Sequence, residues 1–274
     1  MKDGDRVKLV EINNLRYSYP DGSLALDGIN LSIERGRRVA ILGANGSGKS
    51  TLLEHLNGLI LPQEGEVFID GIRLDKKSLW EVRRKLGLVF DNPDDQLFAT
   101  TVFEDVAFGP RNLKLDEAKV REKVEEVLEV IGIIDLRDKQ PHNLSLGQKR
   151  KAAIGGVLSM EPDILVFDEP FSGLDPGSLE QFIGILDRLY DLGHSLIVTT
   201  HDVDIAYSWA DEIIIINKGR VLSQGGPELL EDEDLLKEAN LRLPSLYRIF
   251  ANTNIRVRNI DQAREQIDLL LARN

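Results

Sequence analysis

The stretch that decides the fold reads Val39-Ala40-Ile41-Leu42-Gly43-Ala44-Asn45-Gly46-Ser47-Gly48-Lys49-Ser50. Its first four residues are apolar and strand-sized, and the rest match the pattern G-x-x-x-x-G-K-[ST]. That pattern indicates a phosphate-binding loop when a strand precedes it and a helix follows it. The sequence predicts a helix that opens at Lys49 or Ser50 and ends near Gly58. A nucleotide site is therefore expected where this strand ends.

Each residue type in the loop has a physical task. Glycines let the backbone wrap closely, so that its N–H groups face the phosphates, and the helix N-terminus adds positive partial charge. Lys49 is expected to reach the β- and γ-phosphates as a catalytic cation, and the Ser50 hydroxyl is expected to ligate Mg²⁺. The predicted phosphate-binding residues are Gly43, Asn45, Gly46, Ser47, Gly48, Lys49, Ser50 and Thr51.

A second motif, the acidic pair Asp168-Glu169, follows the apolar run Ile164 to Phe167. This run predicts a buried strand that delivers Asp168 to its carboxyl end, where α/β sheets bind ligands. Asp168 is expected to hold Mg²⁺ through water. Glu169 is expected to polarise the attacking water as the general base of ATP hydrolysis.

Composition limits the class of protein. The chain has 274 residues, of which 42% are hydrophobic and 29% charged, as in globular proteins with a buried core. Its net charge of −12 argues against a nucleic-acid partner, which needs a basic surface. No run approaches the roughly 18 apolar residues of a membrane-spanning helix. A function at a membrane would therefore require a separate spanning subunit.

Strands and helices alternate along the chain. Strand-like runs are Val7 to Ile12, Leu31 to Ile33, Val39 to Leu42, Val67 to Ile69, Ile164 to Phe167, Leu196 to Thr199 and Ile213 to Ile216. Helices are expected after Asp116, from Gly147 to about Ser159, and from Leu179 to Leu192. This alternation predicts an α/β protein with a mostly parallel sheet covered on both faces.

Four further motifs resemble those of ABC ATPases. Leu144-Ser145-Leu146-Gly147-Gln148 resembles the L-S-G-G-Q signature and precedes the acidic strand, as in that family. Ser172-Gly173-Leu174-Asp175 resembles the D-loop, and His201 looks like the switch histidine. Tyr19 stands where the family places an aromatic residue that stacks on adenine. The ordered set runs from Tyr19 to His201, so the resemblance covers nearly the whole chain.

The resemblance implies a P-loop NTPase of the ABC-ATPase fold. This fold has a mostly parallel core sheet, an N-terminal antiparallel β subdomain, an inserted helical subdomain and a short C-terminal helical extension. We expect the nucleotide-binding domain over residues 1–225, with the helical subdomain at about 90–160. The extension is expected over 226–274, where the pattern changes to short charged helices after Gly225-Gly226-Pro227.

The resemblance also implies a dimer. In the family, two subunits pair head to tail and each signature closes over the ATP of the other subunit. His201 is then expected to join Lys49 and Glu169 as a catalytic residue. Further nucleotide contacts are implied for Tyr19, Ser145, Gly147, Gln148 and Asp175. Taken singly, these residues have simpler alternatives, since Ser145 can cap its helix, His201 can end a strand and Tyr19 can lie in the core.

Three segments are similar to the ATPases of energy-coupling factor importers, which take up cobalt, nickel and vitamins. They are Asn92 to Phe98, Glu104 to Pro110 and Leu241 to Pro244. This similarity implies transmembrane transporter subunits and a second ATPase subunit, identical or paralogous, as partners. It also implies a peripheral position on the cytoplasmic face of the cell membrane. The transported substrate is read by another subunit, so this sequence does not name it.

Two residues depart from the family pattern. The signature has Leu146 where glycine is usual, which adds bulk beside Ser145 and Gly147. Asp91 replaces a glutamine that contacts Mg²⁺ and the attacking water. Aspartate can still ligate Mg²⁺, but it places extra negative charge near the γ-phosphate. Gln96 is a weaker candidate for the missing glutamine.

Two alternatives and one unassigned helix remain. A soluble ABC ATPase of translation or DNA repair is disfavoured, because the chain has one cassette and no sustained heptads. A P-loop kinase leaves the signature and the D-loop without a role.

The unassigned helix has one apolar face, formed by Ile260, Ala263, Ile267, Leu270 and Leu271. This face is expected to pack either on its own domain or on a partner ATPase.

Overall fold

Ten strands form two sheets in the computed structural model, which describes residues 8–253 and 255–271. The strands are β1 (Lys8–Ser18), β2 (Leu24–Glu34), β3 (Arg38–Leu42), β4 (Glu64–Ile69), β5 (Ile72–Arg73), β6 (Leu86–Val89), β7 (Ile164–Phe167), β8 (Ser195–Thr200), β9 (Glu212–Asn217) and β10 (Arg220–Gly225). The six-stranded sheet has the order β10-β9-β3-β8-β7-β6. All its neighbouring strands are parallel except β9 and β10. The predicted mostly parallel core sheet is confirmed.

The parallel pairing brings functional segments to one edge. Strands β3, β6, β7 and β8 run in the same direction, so their carboxyl ends meet at the same side of the sheet. The phosphate loop follows β3, and the acidic pair follows β7. This edge is where the sequence places its nucleotide site.

The antiparallel sheet has the order β2-β1-β4-β5 and confirms the expected N-terminal β subdomain. Strand β1 continues to Ser18, well past the predicted end at Ile12. Its pairing with β2 shifts register between Ile12 and Leu15, where Asn14 has a positive φ of 50°. Such a bulge interrupts the alternation of apolar and polar residues that indicates a strand. The predicted start at Val7 lies outside the described residues.

Ten α-helices complete the described part of the fold. They are α1 (Lys49–Leu56), α2 (Leu79–Lys85), α3 (Val102–Asn112), α4 (Glu117–Val130), α5 (Leu146–Leu158), α6 (Pro176–Asp191), α7 (Val203–Trp209), α8 (Glu233–Glu238), α9 (Ser245–Phe250) and α10 (Ile260–Leu271). Asp116 caps α4 as predicted, because its side chain accepts a hydrogen bond from the Lys119 N–H. No helix in the described ranges is long and apolar enough to cross a membrane.

The core lies on both faces of the six-stranded sheet. Along β3, Val39 and Ile41 face the antiparallel sheet and α1, whereas Ala40 and Leu42 face the helical side. All four side chains are at most 1% exposed. Burial on both faces explains why the central strands read as continuous apolar runs.

The C-terminal region is attached to the main domain by specific contacts. Leu230 and Leu236 are buried in the main core, although they lie beyond the predicted boundary at residue 225. Arg258 donates hydrogen bonds to the carbonyl oxygens of Tyr207 and Ala210, at the end of α7. The first part of the extension therefore packs as part of the domain. The division into 1–225 and 226–274 remains a sequence prediction.

The apolar face of helix α10 is buried at one position and partly or largely exposed at the others. Ala263 is buried against Phe250 and Val257. The other face residues are 45% to 77% exposed: Ile260, Ile267, Leu270 and Leu271. Packing on its own domain therefore buries Ala263, and a contact of this face with a partner ATPase stays a prediction.

Candidate functional site

The phosphate loop needs glycine at two positions for steric reasons. A Cβ on Gly43 would lie 2.4 Å from the carbonyl oxygen of Ile216. A Cβ on Gly48 would lie 2.7 Å from the carbonyl oxygen of Ala25, and Gly48 also has a φ of +105°. A side chain at either position would displace the backbone that should wrap around phosphates.

Lys49 points back into its own loop. It is 6% exposed, and its Nζ donates a hydrogen bond to the Gly43 carbonyl oxygen at 2.8 Å. The same Nζ lies 3.2 Å from Glu169 Oε1. The ammonium group is thus held at the carboxyl edge of the sheet by a carbonyl and a carboxylate. An incoming phosphate would compete for it with more negative charge.

Thr199 holds the acidic pair at the end of β7. Its hydroxyl donates to Asp168 Oδ1 at 2.6 Å and accepts from the Glu169 N–H at 2.9 Å. Glu169 has a φ of 41°, a conformation that residues other than glycine rarely adopt. The hydrogen bond from its N–H to β8 therefore fixes a strained backbone at the position predicted for the general base.

His201 completes a cluster around Glu169. Its Nδ1 lies 2.9 Å from Glu169 Oε2, and its side chain is 60% exposed. Lys49 contacts the other carboxylate oxygen of the same glutamate. The fold therefore brings together all three residues that were predicted to be catalytic, from the ends of β3, β7 and β8.

Asp91 lies next to this cluster, after the end of β6. Its carboxylate is 3.5 Å from an Nη of Arg150, a residue of α5. Burial raises the pKa of Asp91, the Arg150 charge lowers it, and the charges of Asp168 and Glu169 raise it. Gln96 is occupied elsewhere, because its side-chain oxygen accepts from the Phe90 N–H at 3.2 Å.

The predicted metal ligands suit Mg²⁺ in their chemistry. Ser50 offers a hydroxyl, and Asp168 and Asp91 offer carboxylates, all oxygen donors of the kind that Mg²⁺ prefers. No group of three or more His, Cys, Asp or Glu residues within the described ranges could hold a metal ion by itself. Mg²⁺ commonly binds through one or two carboxylates together with substrate phosphates. The donor set fits an ion that arrives with ATP.

Tyr19 borders the phosphate loop. Its hydroxyl is 2.7 Å from Thr51 Oγ1 on α1, and its ring meets Tyr17 edge to face at 5.2 Å. The ring is 39% exposed. Tyr19 therefore lies beside the loop with an accessible aromatic ring, which suits its expected contact with adenine.

The signature residues have local roles in their own helix. Ser145 caps α5 by accepting from the Gln148 N–H, and the Gln148 side chain accepts from the Ser145 N–H at 3.0 Å. Asp175 likewise caps α6, and the hydrogen bond from the Ser178 hydroxyl lowers its pKa. Within the described ranges, no hydrogen bond or ion pair joins Ser145, Gly147 or Asp175 to the cluster of Lys49, Glu169 and His201, called here the Lys49 cluster.

The signature helix and the phosphate loop are separate features of this chain. Each offers a helix N-terminus with positive partial charge, which favours an anion. Leu146 is 41% exposed at the start of α5, so it adds apolar surface there and does not disturb the core.

Comparison with known proteins identifies the family. The model of the ABC transporter family matches residues 26–172. The energy-coupling factor transporter ATP-binding protein of Carboxydothermus hydrogenoformans is 50% identical over 241 residues, which cover 88% of this chain and 89% of that protein. The chain belongs to the ABC transporter family.

Further relatives and solved structures indicate the same family. The energy-coupling factor transporter ATP-binding protein of Methanocaldococcus jannaschii is 46% identical over 249 residues, 90% of this chain and 89% of that protein. CbiO1 of Clostridium perfringens, part of an ABC transporter complex, has a TM-score of 0.76 at 40% identity, covering 89% of this chain and 99% of that one. An ATP-binding cassette solved as a dimer with ADP and Pi has a TM-score of 0.72 at 31% identity, covering 80% of this chain and 99% of that one.

These comparisons establish the general activity of the chain. The chain is an ABC transporter ATP-binding subunit of the energy-coupling factor type. ATP hydrolysis coupled to transport is general to this family, so the chain is an ATPase.

Two residues of the site were not found by sequence reasoning. Thr199 ends the predicted strand Leu196 to Thr199, yet nothing in the pattern shows that its hydroxyl bridges Asp168 and Glu169. Arg150 lies two residues after the signature, where a helix surface usually carries solvated charge. Only the fold shows that it is 4% exposed and faces Asp91.

Proposed function

We propose that this chain powers an energy-coupling factor importer of cobalt or nickel ions or a vitamin, through ATP-driven closure of two ATPase subunits. The cluster of Lys49, Glu169 and His201 carries the proposal, since a cation, a carboxylate and an imidazole meet beside a phosphate loop. A protein that only binds nucleotide has no need of a carboxylate at this place. The soluble alternative in translation or DNA repair is not favoured, because the transport-type relatives match nearly their whole length.

ATP binding should rearrange the cluster in a defined order. The γ-phosphate competes with Glu169 for Lys49, because a phosphate carries more negative charge than one carboxylate. When Lys49 turns to the phosphates, Glu169 Oε1 becomes free to accept a proton from water. His201 then holds Oε2 and orients the carboxylate. Mg²⁺ bound with ATP would neutralise charge on the β- and γ-phosphate oxygens.

The second half-site is proposed to come from another ATPase subunit. Ser145, Gly147 and the α5 N-terminus have no described contact with the Lys49 cluster of the same chain. Head-to-tail pairing would place them over the nucleotide of the partner. ATP would then favour the closed pair through contacts that the open state lacks, and hydrolysis would remove them.

An exposed aromatic pair is proposed to dock the transmembrane subunit. Phe98 and Phe108 meet edge to face at 4.9 Å, and they are 67% and 50% exposed. They lie in the two segments that resemble energy-coupling factor ATPases. Two large aromatic rings exposed side by side are typical anchors of a protein interface. A contact with the spanning subunit would place this chain at the cytoplasmic face of the membrane.

Replacing Phe98 and Phe108 by serine should release the chain from its transporter. When the chain is co-expressed with its transmembrane subunit, we expect the membrane-bound fraction to fall about tenfold or more, as for loss of an aromatic interface anchor. ATP turnover of the isolated variant should stay within about twofold, because neither ring touches the catalytic cluster.

Leu192→Ser is the matched control, since Leu192 is 60% exposed at the end of α6. It should leave membrane association unchanged. Equal membrane retention of the double serine variant and the native chain would show that the aromatic pair is not the docking surface.

A further inference from the structure

Arg150 is a buried cation with an incomplete set of partners. It lies in α5, five residues after the signature serine, and is 4% exposed. One Nη donates to the Pro170 carbonyl oxygen at 2.8 Å. Its Nε is buried without a hydrogen-bond partner in the described part of the chain. A buried guanidinium normally needs a counter-charge, because removal from water disfavours the charged form.

Asp91 supplies that counter-charge. The second Nη of Arg150 lies 3.5 Å from both Asp91 Oδ1 and the Asp91 carbonyl oxygen. Within the described ranges, Asp91 is the one carboxylate that forms an ion pair with Arg150. The guanidinium therefore links α5 to the loop after β6. Through the Pro170 carbonyl oxygen, it also links α5 to the residue directly after Glu169.

Asp91 is also close enough to the ATP site for its charge to matter. Strand β6 pairs with β7 in register, with Val89 opposite Phe167. The Asp168 N–H donates to the Val89 carbonyl oxygen at 3.0 Å. Asp91 thus leaves the sheet beside Asp168 and Glu169, and a full negative charge there would repel an incoming γ-phosphate.

We propose that Arg150 is a positioning residue of the ATP site, which neutralises Asp91 and fixes its loop beside Glu169. This role rests on the proposed nucleotide site and adds a residue to it. The aspartate is then tolerated because it forms a unit with Arg150. A glutamine at position 91 would need no such partner, so the two positions should be energetically coupled.

A double-mutant cycle in ATP affinity tests the coupling. The four proteins are the native chain, Asp91→Gln, Arg150→Gln and the double variant, and ATP binding is measured in EDTA so that Mg²⁺ makes no contribution. Arg150→Gln should weaken ATP binding roughly three- to tenfold, as expected for one uncompensated negative charge beside a site that binds an anion. In the Asp91→Gln background, the same substitution should change affinity by less than about twofold.

Two further variants separate charge from structure. Arg150→Lys keeps the positive charge and should bind ATP within about threefold of the native chain. Lys149→Gln breaks a second ion pair between α5 and the segment after β6. In that pair, Lys149 Nζ lies 2.6 Å from Asp94 Oδ1. It should leave ATP affinity unchanged, because Lys149 does not contact Asp91.

Three results would overturn the proposal. The first is an equal loss of ATP affinity on Arg150→Gln in both backgrounds, and the second is no loss in either background. The third is a loss of ATP affinity in Lys149→Gln as large as the loss in Arg150→Gln. If Arg150→Gln does not fold alone, Arg150→Met takes its place in the cycle, because an apolar side chain of similar length removes the charge without leaving a buried amide unpaired. Failure of the native chain to bind ATP would instead contradict the proposed function, so the two failures are distinguishable.

Discussion

Glu169→Gln should retain ATP binding and lose nearly all turnover. The amide keeps the size of the side chain but cannot accept the proton of the attacking water. We expect kcat to fall about 10²- to 10⁴-fold, the usual contribution of a general base, while the affinity for ATP stays within about threefold. With hydrolysis blocked, Mg-ATP should hold the closed dimer, which size-exclusion chromatography would detect as a doubling of mass.

The matched control for this variant is Glu122→Gln. Glu122 is an exposed glutamate on α4, so the same chemical change is made far from the cluster. It should hydrolyse ATP at the native rate and show no trapped dimer. A Glu169→Gln protein that keeps more than about a tenth of native turnover would remove Glu169 from the role of base.

Lys49→Ala should instead weaken nucleotide binding itself. Lys49 Nζ is buried at the loop, and its present partners are the Gly43 carbonyl oxygen and the Glu169 carboxylate. Loss of charge-assisted contacts with two phosphates should weaken ATP binding by about 10- to 100-fold or more. Equilibrium binding of a fluorescent ATP analogue measures this directly.

Lys119→Ala serves as the control, because Lys119 is an exposed lysine on α4 whose side chain is 69% exposed. It removes the same charge from the chain without touching the loop. If Lys49→Ala binds ATP as tightly as Lys119→Ala does, the phosphate loop is not the nucleotide site.

Much of the fold follows from short-range sequence signals. The loop from Gly43 to Ser50 predicts its strand, its turn and its helix, because backbone wrapping around phosphate requires glycine at fixed positions. Continuous apolar runs such as Ile164 to Phe167 predict strands buried on both faces. The C-terminal end of β1 was missed, since the bulge at Asn14 breaks the alternation on which strand prediction depends. The first part of β2, from Leu24, was also missed.

The candidate site was predictable where each residue acts through its own motif. Lys49, Glu169 and His201 each follow a strand end, and the parallel sheet brings those ends together. Arg150 and Thr199 act through residues that are distant in the chain, and no local pattern reports such contacts. The ion pair between Asp91 and Arg150 was not predicted, because a buried guanidinium beside Asp91 cannot be read from the sequence.

The most direct test of the account measures where the signature of one chain lies relative to the phosphate loop of another. The chain has no cysteine, so Asn45→Cys and Leu146→Cys can be introduced together into Glu169→Gln and joined by a short bifunctional thiol reagent. Both positions are exposed, one in the loop and one in the signature. Head-to-tail closure predicts a covalent dimer with Mg-ATP and none without nucleotide, with either cysteine alone, or with Lys49→Ala. Absence of this cross-link while ATP binds, or equal cross-linking without ATP, would contradict ATP-driven head-to-tail closure.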